Sequence, residues 1–157
     1  MQFFIEQIAI APRDPVAARE LLAALGLTEW SEDTVTAAGQ VANEPARNKA
    51  QLAFNYQAAP DNKLEFEVLH YTEGLNWLML RPTWGVSHFG MHVNAEELLA
   101  VRQLMHERGI RVVQEVVTQT HTNPVIAGKR HYQYVIFDTH TILGVDLKFI
   151  VRLEGAV

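Results

Sequence analysis

The feature that most constrains the fold is a strand-like pattern that recurs 81 residues further along the chain. Three segments of the first half have counterparts in the second half at this one offset. Gln7 corresponds to His88, residues 49–56 to 130–137, and residues 64–69 to 145–150. Few of these residues are identical, but each pair shares its alternation of apolar and polar positions, which is typical of strands. The single offset predicts an internal duplication.

Each half is predicted to be a βαβββ unit. In the first helix Asp14 is a capping residue, Pro15 the first helical position and Gly26 the stop. In the second helix Asn94 and Glu97 resemble a capping box. The predicted strands are 3–11, 49–58, 63–72, 86–93, 111–119, 130–138 and 143–152. Residues 33–48 are weakly patterned and predict a short strand followed by a polar loop.

The first helix also carries an apolar stripe at helical spacing that includes Val16, Leu21 and Leu25. The first module is expected to span about 1–76 and the second about 84–157, with residues 72–82 connecting them. Each sheet needs the other half, or another subunit, to bury its open face.

Composition narrows the possible functions. The 157 residues suffice for one domain, 1–157, and the formal charge of −5 argues against nucleic acid as a partner. The absence of cysteine excludes disulfides, thiolate metal sites and cysteine nucleophiles. The N-terminus has no signal-peptide pattern and no apolar run approaches a membrane span, so we expect a soluble cytoplasmic protein with no membrane contact.

The paired modules, with openings at residues 7–15 and 87–93, resemble the vicinal oxygen chelate superfamily. It includes glyoxalase I, methylmalonyl-CoA epimerase, extradiol dioxygenases and bleomycin resistance proteins. The resemblance covers the whole chain and implies an α+β fold, with two tandem βαβββ modules related by pseudo-twofold symmetry and sheets curled around a central cleft. It is specific for fold and poor for reaction, since this fold hosts unrelated activities. Many relatives are homodimers, so the resemblance also implies a homodimer.

In metal-using members of that family, a divalent metal is held by residues of the first and last strands of each module. By resemblance the first-strand ligands are Gln7 and His88, and a glutamate is expected on the last strand. Amide oxygen and imidazole nitrogen suit zinc, nickel, iron or manganese. Such a metal would act as a Lewis acid on two adjacent substrate oxygens.

Two sets of last-strand residues are possible. If the ligands lie at Glu65 and Asp146, the site has four ligands. If they lie at Glu67 and Lys148, the fourth ligand is missing, because a charged lysine has only donors and cannot bind a cation. The family's spacing favours Glu67 and Lys148, so the favoured metal ligands are Gln7, Glu67 and His88, and Lys148 is expected to pair with Glu67.

Three functions remain open. The first is a metal-dependent enzyme, a lyase, isomerase, epimerase or dioxygenase acting on a small substrate with adjacent oxygens. In that enzyme Glu67 and Lys148 are the candidate catalytic residues, and either Glu65 or Glu67 is the candidate ligand and proton-transfer base. The second is a metal-free, antibiotic-type small-molecule binding protein, with a Glu67–Lys148 ion pair in place of the metal. The third is a catalytically silent domain whose sheet edges serve dimerisation.

Each candidate residue also has an ordinary structural interpretation. The four last-strand residues could form a solvated face joined by weak ion pairs. We expect the remaining histidines to be structural or loop residues and the aromatics to fill the core. Lys129 and Arg130 could meet an anionic substrate group or simply solubilise a loop. The other residues considered in this way are Tyr71, Trp77, Trp84, His92, His121, His131 and His140.

Overall fold

The computed structural model describes residues 2–81, 85–120 and 131–153. In chain order its elements are β1 (Gln7–Ala11), α1 (Pro15–Ala24), β2 (Ser31–Val41), β3 (Glu44–Asn55), β4 (Glu65–Gly74), a 3₁₀ turn (Trp77–Leu80), β5 (Gly85–His92), α2 (Ala95–Glu107), β6 (Val112–Thr120), β7 (His131–Phe137), α3 (His140–Leu143) and β8 (Asp146–Arg152).

The eight strands of the described residues close into a single curled sheet around a packed interior. The strand order is β1-β4-β3-β2-β6-β7-β8-β5, and β5 returns to pair with β1. Only β1–β4 and β5–β8 are parallel, and the other neighbours are antiparallel. The predicted α+β class with a curled sheet is confirmed; the duplication and the module boundaries stay predictions.

The strand registers refine the predicted correspondence between the halves. In the parallel pairs Gln7 faces Glu65 and His88 faces Asp146, so an offset of 81 relates both pairs. However, Phe54 lies opposite Glu67, whereas Ile136 lies opposite Lys148, so β3 and β7 correspond at an offset of 82. The predicted alignment of residues 49–56 with 130–137 is therefore wrong by one residue. A slip of one matters because it would turn inward-facing side chains outward.

Residues 33–48 belong to two long strands, so the predicted short strand and polar loop are wrong. β2 and β3 form a hairpin in which Val41 pairs with Glu44 across a two-residue turn. Ala42 and Asn43 have φ values of 50° and 66°. Positive φ at both turn positions matches the twist of the flanking strands. Asparagine tolerates positive φ, but alanine rarely adopts it, so the residue pair Ala42–Asn43 does not predict this turn.

The two long helices lie against the sheet very differently. Helix α2 has the predicted capping box and buries Leu98, Val101 and Met105. Helix α1 begins at the predicted Asp14 cap but has no buried residue. Its apolar stripe is exposed, with Leu21 and Leu25 at 64% and 72%. No helix within the described ranges is long and apolar enough to cross a membrane.

Candidate functional site

Four consecutive strands of the closed sheet, β4, β1, β5 and β8, direct polar side chains into the interior. These side chains are Glu67, Gln7, His88 and Lys148, in the same order, and each is at most 5% exposed. Polar groups so deeply buried need partners, because burial without hydrogen bonds is costly. The structure thus brings together the favoured candidate residues in one cluster.

The Gln7 amide is the centre of this cluster. Its Nε2 donates to Glu67 Oε2 at 3.0 Å and also to Glu65 Oε1. Its Oε1 lies 2.8 Å from His88 Nε2 and accepts from Lys148 Nζ at 3.4 Å. The amide therefore presents its nitrogen to carboxylates and its oxygen to donors, which uses its hydrogen-bonding capacity fully.

A glycine makes room for this arrangement. Gly90 on β5 lies opposite Gln7 on β1 and beside Lys148 on β8. A Cβ added at Gly90 would fall 2.7 Å from Gln7 Oε1 and 2.8 Å from Gln7 Cβ. The position thus needs a residue without a side chain for the Gln7 amide to lie where it does.

The His88 ring is neutral and held from both sides. Burial, with the nearby charge of Lys148 second, lowers the pKa of His88 well below its usual value. Because Gln7 turns its oxygen toward the ring, Nε2 carries the proton and donates. Nδ1 lies 3.1 Å from Ser87 Oγ, whose hydroxyl donates to the backbone carbonyl of Ala9 at 3.2 Å.

Lys148 brings a positive charge to the point where the His88 and Gln7 side chains converge. Its Nζ lies 3.5 Å from His88 Nε2 and 3.4 Å from Gln7 Oε1. It also lies 4.0 Å from the centroid of the Tyr134 ring, a cation–π contact. Lys148 and Glu67, the favoured pair, are linked through the Gln7 amide.

The alternative residues, Glu65 and Asp146, have other partners. Asp146 is 1% exposed and receives two hydrogen bonds of 2.9 Å from Arg81, one from Nε and one from Nη2. It also accepts from the backbone N–H of His140 at 3.1 Å. Glu65 is half-buried and accepts from Tyr56 and from Gln7. Asp146 thus anchors Arg81.

Trp77 covers the cluster. It is 1% exposed, and its ring lies 5.6 Å edge-on from those of His88 and Tyr71. Its backbone N–H donates to Gln114 Oε1, and Gln114 Nε2 donates to the Tyr71 hydroxyl. Burial raises the pKa of Tyr71, so its hydroxyl stays protonated. The space left beside Glu67 and Lys148 is about 20 Å³, room for about one water.

The other predicted residues lie away from this cluster or outside the described residues. His92 is exposed and contacts Glu6. Trp84, His121, Lys129 and Arg130 lie outside the described residues. Sequence reasoning missed Ser87, Arg81 and Gln114. Ser87 could have been noticed beside His88, but nothing in the sequence connects Arg81 or Gln114 with residues tens of positions away.

The side chains present do not fit the divalent metal that the resemblance implies. Within the described ranges no group of three or more histidines, cysteines, aspartates or glutamates could hold a metal ion. His88 Nε2 and Gln7 Oε1, the two family-type ligand atoms, are hydrogen-bonded to each other, and Lys148 Nζ lies within 3.5 Å of both. A second cation there would be repelled by the ammonium, which has no lone pair to offer.

Together, the curled sheet and the cluster of β1, β4, β5 and β8 define the class: the chain has the vicinal oxygen chelate fold. Neither a family model nor a curated protein matches the sequence. The similarity is to the fold of solved structures, and their low sequence identities support a shared fold and nothing more.

Three solved structures illustrate this likeness. A methylmalonyl-CoA epimerase in complex with methylmalonyl-CoA and NH4+ has a TM-score of 0.55 and 16% identity, covering 98% of this chain and 97% of that chain. A hypothetical protein from Bacillus halodurans C-125 has a TM-score of 0.51 and 16% identity, covering 100% and 99%. A 4-hydroxymandelate synthase variant from Streptomyces coelicolor has a TM-score of 0.53 and 10% identity, covering 97% of this chain and 49% of that chain.

Proposed function

We propose that this protein binds a small molecule in the interior of the curled sheet without a divalent metal. One observation carries the proposal: Lys148 Nζ lies within 3.5 Å of both His88 Nε2 and Gln7 Oε1. The ammonium takes the electrostatic place of the metal in family members that use one. This favours the metal-free binding protein over the metal-dependent enzyme.

The ammonium suits a ligand that presents oxygen atoms. Lysine has three donors, of which one points to Gln7 Oε1, and the Tyr134 ring face shields another side. A carbonyl or carboxylate oxygen could accept the remaining donor. Charged donors form stronger hydrogen bonds in a site that excludes water. A small molecule with adjacent oxygens, as the resemblance implies, is the ligand class we propose.

Room for such a ligand requires the 3₁₀ turn to move. The void beside Lys148 and a second chamber of about 370 Å³ share Leu69 and Tyr71 in their walls. Trp77 lines the void and Leu78 lines the chamber, so the turn separates the two. Outward displacement of Trp77 would join them into a volume typical of small-molecule sites.

The decisive experiment is metal analysis of a gain-of-function variant. Wild-type protein incubated with zinc, nickel, iron or manganese and then desalted should retain well below one equivalent. Lys148→Glu replaces the cation by a carboxylate beside Gln7, Glu67 and His88, and should retain about one equivalent. Lys148→Met is the matched control, because it removes the charge without adding a ligand.

One equivalent of metal bound to the wild-type protein and lost in the His88→Ala variant would contradict the proposal. The metal-dependent lyase, isomerase, epimerase or dioxygenase would then replace it. Ligand binding itself is tested by titrating phenylpyruvate, which has adjacent carbonyl and carboxylate oxygens, and following tryptophan fluorescence. Lys148→Met should weaken this binding about tenfold, whereas Lys63→Met, an exposed control, should leave it unchanged. The homodimer and the cytoplasmic location remain predictions.

A further inference from the structure

The indole of Trp77 carries a polar group that the interior of the sheet leaves unpaired. Trp77 is 1% exposed, and its Nε1 is buried with no hydrogen-bond partner among the described residues. A buried donor without an acceptor destabilises a fold, so most such groups in proteins are paired. The indole N–H can therefore make one hydrogen bond, to an acceptor that the described residues do not supply.

The other contacts of Trp77 do not need the indole N–H. Gln114 Oε1 accepts from the Trp77 backbone N–H, and Gln114 Nε2 donates to the Tyr71 hydroxyl, both at 3.1 Å. The rings of Tyr71 and His88 pack edge-on against the Trp77 ring, with centroids 5.6 Å away. A phenylalanine at this position could make the same backbone and ring contacts. The packing of Trp77 thus gives no role to the polar atom of its indole.

Trp77 lines the same void as Lys148, the cation of the proposed binding site. This void is about 20 Å³, and Trp77 and Leu78 lie between it and the chamber of about 370 Å³. Displacement of Trp77 to admit a ligand breaks no hydrogen bond of the indole, because the indole makes none within the described ranges. Since Trp77 lies at the boundary of the two spaces, its ring borders the joined space as well.

We propose that the Trp77 indole N–H donates to a second oxygen of the ligand whose first oxygen is bound by Lys148. In this role, which rests on the proposed function, Trp77 selects among the ligands of the interior site. Lys148 is a charged donor, and the indole is a neutral donor without acceptor capacity. A 2-oxo carboxylate suits both, with a carboxylate oxygen for Lys148 and the adjacent ketone oxygen for Trp77. A carboxylate without the ketone leaves the indole unpaired.

Two ligands with one carbon skeleton test this selection: phenylpyruvate and 3-phenylpropionate, which lacks the ketone oxygen. In NMR titrations the wild-type protein should bind phenylpyruvate about fivefold more tightly, the value of one neutral hydrogen bond. Trp77→Phe should bind the two ligands equally, because the donor that distinguishes them is gone. Lys148→Met should weaken the binding of both and keep the preference. A Trp77→Phe variant that keeps the full preference would overturn the proposal.

Trp30 provides the matched control. Its Nε1 already donates to the Leu27 carbonyl at 2.7 Å, and Trp30 does not line the void. Trp30→Phe should therefore bind both ligands as the wild-type protein does and keep the preference for phenylpyruvate. Loss of the preference in Trp30→Phe as well as in Trp77→Phe would assign the effect to general damage and overturn the specific role of Trp77.

The indole proton signals of the wild-type protein test the same contact without any substitution. Hydrogen bonding moves such a proton downfield, so phenylpyruvate should shift the Trp77 indole proton downfield. The ligand 3-phenylpropionate has the same aromatic ring and should not cause this shift. The Trp30 indole proton, which is already bonded, should keep its position with both ligands. A Trp77 indole proton that stays in place while phenylpyruvate binds would overturn the proposal.

These titrations separate the role of Trp77 from the proposed function. Equal binding of the two ligands, lost in Lys148→Met, would keep the interior site and overturn the role of Trp77. Binding of neither ligand to the wild-type protein would overturn both. The void has room for about one water, which is the other acceptor to consider. A nuclear Overhauser contact from the Trp77 indole proton to a long-lived water, unchanged by phenylpyruvate, would assign the donor to that water and overturn the proposal.

Discussion

Replacing Arg81 by alanine should destabilise the fold more than any exposed charge change, because Arg81 is the principal partner of a buried carboxylate. The guanidinium donates twice to Asp146, which is 1% exposed, and once at 2.6 Å to Asp138, which is 20% exposed. Removing one partner of a buried pair costs about 3–5 kcal/mol, since the other charge stays buried. The His140 N–H still binds Asp146 in the variant, so we expect about 3 kcal/mol.

The matched control is Arg111→Ala. Arg111 bonds the same Asp138, at 3.0 Å, but its side chain is 67% exposed. Removing it should therefore cost less than ~1 kcal/mol. Burial would raise the pKa of Asp138, but hydrogen bonds from Arg111 and Arg81 outweigh burial and lower it. A carboxylate whose pKa is lower in the folded state stabilises the fold at pH values above its unfolded pKa. This stabilisation is lost as the pH falls, so the free-energy cost of Arg81→Ala should be smaller in acid.

Urea unfolding at pH 7, with the m-value checked in every variant, measures these differences. In the double variant Arg81→Ala with Asp146→Ala, the free energies should not add. The double change should cost about 2 kcal/mol less than the sum of the single changes, because it leaves no unpaired buried carboxylate. An Arg81→Ala cost no larger than that of Arg111→Ala, or strict additivity with Asp146→Ala, would refute the reasoning.

The neutral buried ring of His88 predicts a pH dependence. Because its folded-state pKa is lowered, the unfolded chain binds the proton first, and stability should fall below about pH 6.5 by up to ~1.4 kcal/mol per pH unit. His88→Gln should reduce this pH dependence of the free energy of unfolding, measured with urea, whereas His92→Gln at an exposed position should not. Equal pH dependences in the two variants would contradict the prediction. Gly90→Ala should destabilise by about 1–3 kcal/mol, because its Cβ would lie 2.8 Å from Gln7 Cβ. An unchanged urea midpoint would show that Gln7 can move away.

Much of the fold could be predicted because local signals agreed with the final structure. The Asp14 cap, the Asn94–Glu97 capping box and the alternation in β4 and β8 each specify a local element. The β2–β3 hairpin was missed because its turn residues, Ala42 and Asn43, carry weak turn signals. The stripe of α1 misled because apolar spacing predicts a buried face, whereas Leu21 and Leu25 are 64% and 72% exposed.

The candidate site was predictable as a set of residues but not as a geometry. The 81-residue offset pairs Gln7 with His88 and Glu67 with Lys148, and the resemblance implies that first-strand and last-strand residues form one site. The family's spacing favoured Lys148 over Asp146, but only the structure shows that Arg81 binds the Asp146 carboxylate. That contact joins a connecting segment to a strand 65 positions away, and no local pattern records it.

The opposite charges at positions 67 and 148 also explain why an amide at position 7 is compatible with a lysine at position 148. Glu67 and Lys148 lie at the same offset of 81 and carry opposite charges into one buried space. The Gln7 amide matches both, with its nitrogen toward Glu67 and its oxygen toward Lys148 and His88. A neutral histidine there offers one donor and one acceptor, whereas Gln7 makes four hydrogen bonds. Gln7 and Lys148 are therefore structurally coupled, because the Gln7 amide accepts from the Lys148 ammonium and directs its nitrogen toward Glu67.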